Sequence, residues 1–145
     1  MGCDPKAILY YGIKLGSEPE WPEDGGVDYH TVNDDWQKMK GPKRPEDHGN
    51  YRTPEWDEWR AKLKVYEASP LSVKIDWSGT DECHDGGWYV HCDGLERCVE
   101  WDDHLNLAGF ELGRNAEADA ALKEFCEAFC LIWKQPSWHL ACQYF

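Results

Sequence analysis

Cysteine, histidine and carboxylate side chains crowd one stretch of this chain. Asp81-Glu82-Cys83-His84-Asp85 is followed, after the turn-forming Gly86-Gly87, by His91-Cys92-Asp93 and then Cys98. Thiolate and imidazole are the ligands zinc takes in tetrahedral sites, so a hairpin bringing Cys83, His84, His91 and Cys92 to one end would supply a metal centre. The spacing argues against it. No Cys-x2-Cys pair occurs in the chain, and strand alternation sends neighbours such as Cys83 and His84 to opposite faces. Cys92 keeps phase with Trp88 and Val90, which reads as a small buried hydrophobe. Cys126 and Cys130 are four apart, neighbours on a helix, with Cys142 downstream as a third thiol. They flank an apolar stripe, so the same reading applies, and an i,i+4 pair seldom has disulfide geometry. No cofactor is expected; zinc is the one these residue types would hold.

Catalysis would call on His84, His91 or His104 beside the carboxylates. A histidine adjacent to a cysteine, as at His91-Cys92, is not thereby its base: the imidazole must reach the thiol and be oriented by a third group. No phosphate-cradling glycine loop, Gly-x-Ser-x-Gly elbow or His-Glu-x-x-His occurs. The sequence favours a binding protein over an enzyme. Trp21, Trp36 and Trp101 lie in acidic, loop-like surroundings, and exposed tryptophan flanked by charge is the composition of a binding hot spot. The competing reading closes these rings back onto the body. Asp81, Glu82, Asp85, Asp93, Asp102 and Asp103 surround the hairpin and the connection after it. From Lys74 to Glu124 there are thirteen Asp and Glu against four Lys and Arg, a net of −9.

The elements that must position these groups follow from periodicity. Ala118, Leu122, Phe125, Phe129 and Ile132 fall on one stripe and predict an amphipathic helix over about 115–134, capped by Asn115. Leu122, Phe125, Phe129 and Trp133 are its expected core residues. Pro136 stops it, and the alternation of Trp138, Leu140, Cys142 and Tyr144 predicts a strand over 138–145. Ala7–Leu15 is apolar on both faces, the pattern of a central strand. Thr53-Pro54-Glu55 opens a second helix bearing Trp56, Trp59, Leu63 and Tyr66. Leu71–Ser78 and Trp88–Cys92 alternate as strands around Asp85-Gly86-Gly87, and Cys98–Trp101 offers a further short strand. The order predicts an α+β domain over 1–145, an antiparallel sheet with two helices on one face on the ferredoxin-like, split βαβ plan. Residues 16–52, punctuated by Pro and Gly, read as a long loop-rich insertion after the first strand, with a short helix after Asn33.

At 145 residues the chain supports one core, with nine Trp, seven Tyr and four Phe to fill it. A formal charge of −13 repels nucleic acid and anionic membranes. No stretch approaches the roughly 20 apolar residues of a membrane span. Seven cysteines, an odd number, and an N-terminus without an apolar leader predict reduced thiols in a cytosol.

Tyr10-Tyr11-Gly12-Ile13-Lys14-Leu15, the Val73–Ser78 strand before a glycine-turned hairpin, and Pro136-Ser137-Trp138-His139-Leu140 resemble segments of small uncharacterised proteins encoded by bacteriophages. The resemblance implies a cytoplasmic product in a bacterial host and carries over no functional residues. With the acidity and the tryptophans, it leads to the expectation of a non-enzymatic binding protein that engages and inhibits a basic host or defence-system protein at a nucleic-acid-binding surface. The alternatives are a small zinc- or thiol-dependent enzyme using residues 81–104, and a phage structural component.

Overall fold

A computed structural model describes residues 5–16, 28–78, 87–100, 103–108 and 110–144. Trp21, Asp81, Glu82, Cys83, His84, Asp85, Trp101 and Asp102 lie outside them.

The longest strand, β1 (Pro5–Gly16), is the centre of an antiparallel sheet. On one side it pairs along Pro5–Gly12 with β5 (Ser137–Tyr144). On the other it pairs first with β4 (Arg97–Val99) through Ala7–Leu9, then with β3 (Gly87–Cys92) through Gly12–Gly16. The strand β2 (Val73–Ser78) extends the sheet beyond β3. The α+β class with an open antiparallel sheet is therefore the observed one, built among the described residues from five strands and three α-helices.

Alternation along β1 divides the faces. Tyr11, Ile13 and Leu15 join Val73, Ile75, Val90 and Cys92 beneath Val32 and Trp36 of α1 (Tyr29–Lys40) and Ala118, Ala121, Leu122, Phe125 and Cys126 of α3 (Ala116–Ala128). On the other face Ile8, Tyr10 and Tyr89 form a smaller cluster. Gly12 lets β1 lie this close to β3, because a Cβ there would stand 1.9 Å from the Val90 carbonyl oxygen.

The short helix expected in the insertion after β1 is present and starts before Asn33: α1 begins at an Asp28 cap, whose Oδ1 accepts from the Thr31 N–H, and lies on the sheet with α3. The placing of Trp36 at a binding surface is corrected. Trp36 is consequently a core residue, 1% exposed, with its Nε1 donating to the Leu71 carbonyl at 3.1 Å. Among the described residues its indole is the largest fully buried side chain, and an apolar ring of that size inside the helix–sheet layer outweighs its acidic sequence neighbours. The helix expected to share that layer, α2 (Pro54–Glu67), buries only Trp56 and packs on residues 42–51.

The C-terminal helix also ends earlier than its apolar stripe. Cys130 takes φ +55°, and the Leu131 N–H bonds back to the Cys126 carbonyl at 2.9 Å, the closing bond of a Schellman turn. Trp133 thus falls beyond the helix and is 39% exposed, while Phe129 is only partly buried. Among the described residues no helix is long and apolar enough to cross a membrane.

Candidate functional site

The face of the sheet away from α1 and α3 carries a buried histidine between carboxylates. In the β2–β3 ladder Lys74 stands opposite His91 and Asp76 opposite Tyr89. Asp76 and His91 are therefore diagonal neighbours on one face, within reach of each other. The Asp76 Oδ2 lies 2.6 Å from His91 Nε2. His91 is 1% exposed.

The chain leaving β3 brings two more acids to the same ring. A single 3-10 turn, Asp93–Leu95, is anchored by the Asp93 N–H on the Ser72 carbonyl at 2.7 Å and closed by the Glu96 N–H on the Asp93 carbonyl. Gly94 lets this turn press on the end of α2, since a Cβ there would meet the Ala68 carbonyl at 2.5 Å. The turn reverses the side chains so that Asp93 and Glu96 both face His91: ligand-type atoms of the three residues all lie within 4.8 Å of one another. Glu96 Oε2 is 2.9 Å from His91 Nδ1, and Nδ1 makes no hydrogen bond. Lys74 Nζ, 3.1 Å from Asp93 Oδ2, closes the charge cluster.

Aromatic rings wall the imidazole. Tyr89 lies 4.9 Å from it between centroids, and Tyr10 packs at 4.4 Å from Tyr89 and at 5.0 Å, stacked, on His139. Burial pushes the Tyr10 phenol up to about 12, so it stays neutral. Burial also pushes His91 down, but the hydrogen bond to Asp76 and the adjacent Glu96 carboxylate outweigh it and raise His91 to about 9. The imidazole is therefore drawn toward its charged form at neutral pH. Both ring nitrogens face carboxylates, so neither is turned toward a substrate.

Of the residues singled out from the sequence, the fold gathers His91 and Asp93. Cys92 points the other way, fully buried in the helix-side core, with its thiol pushed up to about 12 by burial. Asp103 is exposed and receives the His104 N–H at 2.7 Å. Asp76 and Glu96 were missed as site residues. The signal for Asp76 was partial: alternation puts it and His91 on the polar faces of their strands, but the register pairing Ser78 with Gly87, which sets them side by side, does not follow from the glycine pair. Glu96 depends on the 3-10 turn, which no periodicity announces. A cavity of about 370 Å³ between α1, the end of α2 and β2 opens beside Lys74 and Asp76.

Comparison with protein-family models, with curated proteins and with solved structures returned no match.

Proposed function

We propose that this chain is a non-enzymatic acidic binding protein of bacteriophage type, which engages and inhibits a basic host or defence-system protein in the bacterial cytoplasm. The observation that carries this reading is the segregation of charge. Residues 38–64 hold eight Lys and Arg against five Asp and Glu, a net of +3, whereas residues 65–145 hold five against fifteen, a net of −10. The basic stretch is the end of α1, the connection after it and most of α2. The acidic remainder includes exposed Asp103, Glu111, Glu117 and Glu127. An acidic excess along this stretch, with most of the cations in residues 38–64, would present carboxylates to lysine and arginine clefts much as phosphates do. The same field disfavours direct contact with nucleic acid or anionic lipid.

The test is electrostatic. Protein captured from bacterial lysate at low salt is identified, and its association rate is measured across ionic strength. Reversal of Asp103, Glu111, Glu117 and Glu127 to Lys slows association at least tenfold at low salt and flattens the salt dependence, while the fold is retained. Equal rates for the parent and the reversed protein overturn this reading.

A further inference from the structure

Ligand-type atoms of His91, Asp93 and Glu96 converge, with Lys74 on one oxygen of Asp93. A short hydrogen bond at Nε2 leaves the proton of a neutral imidazole on that nitrogen, facing Asp76, which aims the Nδ1 lone pair at Glu96 and Asp93. With a carboxylate oxygen 2.9 Å away, that nitrogen needs a cation beside it, a proton in the metal-free protein or a metal ion in the proton's place. Nδ1 is one of the described side-chain atoms that are buried without a hydrogen-bond partner, on a residue only 1% exposed. A carboxylate on the far nitrogen is also the usual partner of a metal-ligating histidine, since it fixes the tautomer and raises the basicity of the ligand.

We propose that His91 Nδ1, Asp93 and Glu96 form a binding site for a first-row divalent cation such as zinc, with Asp76 as the positioning residue for the imidazole. The donor set decides the class. One imidazole and two carboxylates suit zinc, manganese or cobalt, whereas calcium and magnesium favour all-oxygen shells. No thiolate takes part, because Cys92 lies on the opposite face of the sheet. The ligand atoms stand up to 4.8 Å apart, and drawing them around an ion with bonds of about 2.0–2.2 Å requires only side-chain rotation of Asp93 and Glu96. Lys74 bonds one oxygen of Asp93 and leaves the other for the metal. Three protein ligands leave a fourth position open to water or to a partner's side chain. This site stands independently of the acidic docking surface.

Chelator-stripped, thiol-alkylated protein is dialysed against zinc and analysed for bound metal, and cobalt is titrated in parallel with its visible absorption as the readout. One equivalent is expected, with the imidazole resonances of His91 shifting on binding. Glu96→Gln and His91→Gln each weaken binding at least tenfold, and Asp76→Asn weakens it tenfold to a hundredfold through loss of orientation. Far-UV circular dichroism checks that each variant is folded, and the partly exposed Glu96 provides a decisive variant should His91→Gln fail to fold. Absence of uptake, or uptake that Glu96→Gln and Asp76→Asn leave unchanged, overturns the proposal.

Discussion

Asn33 of α1 and Ile75 of β2 exchange two hydrogen bonds: Asn33 Nδ2 donates to the Ile75 carbonyl at 2.9 Å, and the Ile75 N–H donates to Asn33 Oδ1 at 2.8 Å. One side chain thus does for β2 what a neighbouring strand would do, covering the backbone groups that point away from β3. Ile75 is fully buried, so neither group has water to turn to. Asn33→Leu leaves both unpaired at about 1–3 kcal/mol each. A lowered urea midpoint is expected, with concentration-dependent association as the uncovered strand edge finds other chains. An unchanged midpoint would show that the edge is covered by other means.

The contrast between Phe125 and Trp133 tests where the C-terminal helix matters. Phe125 is fully buried, edge-on to Trp36 at 5.2 Å, whereas Trp133 is 39% exposed beyond the helix end. Phe125→Ala is expected to cost about 3–5 kcal/mol. Trp133→Ala is expected to cost under about 1 kcal/mol, as surface positions do. Equal losses in denaturant melts would mean that the residues after Ala128 pack far more firmly than their exposure implies.

Both side chains lay on the same sequence stripe, and this is where sequence reading reached its limit. The 3.6-residue period located α3 and its Asn115 cap, whose Oδ1 accepts from the Ala118 N–H; two-residue alternation located β2, β3 and β5, and a run apolar on both faces located β1. Periodicity has no term for a left-handed residue, so it ran past Cys130. Trp36 was misplaced because its neighbours are polar on every side: α1 shows only Val32 and Trp36 to the core. The His91 centre was half legible. The acid two residues after His91 was visible, but Glu96 required a turn held by the backbone of Ser72, which is distant in sequence and silent in pattern.

That left-handed residue yields a stabilising substitution. Cys130 is exposed and holds φ +55°, a conformation that costs a side chain roughly 1–2 kcal/mol. Cys130→Gly is expected to raise stability by about 0.5–1 kcal/mol, the gain being reduced by the extra freedom of glycine in the unfolded chain. A lower melting temperature for the variant would contradict it.

The thiols divide by burial. Cys98 and Cys130 are exposed, while Cys92 and Cys126 are buried, their thiols raised by burial to about 12 and about 11. Under native conditions alkylation followed by peptide mass mapping is expected to label Cys98 and Cys130 within minutes, and Cys92 and Cys126 only on unfolding. Native labelling of Cys92 would mean that the layer between α3 and the sheet opens readily.

Stability should fall in mildly alkaline solution, and His91 is the reason. Its folded value, about 9, stands above the ordinary 6.5 because Asp76 and Glu96 favour the charged ring more than burial disfavours it. A group raised on folding contributes its full stabilisation below the unfolded value and loses it as pH climbs through the folded one. Metal-free protein is therefore most helped by His91 below about pH 6.5 and loses that help between about 6.5 and 9, a change on the order of 3 kcal/mol at 1.36 kcal/mol per unit. Urea midpoints measured every half unit across this window, with chelator present, should decline for the parent protein. For His91→Gln, whose amide does not titrate, they should stay level from a lower start. A parent profile as flat as that of the variant would remove the buried imidazolium from this site.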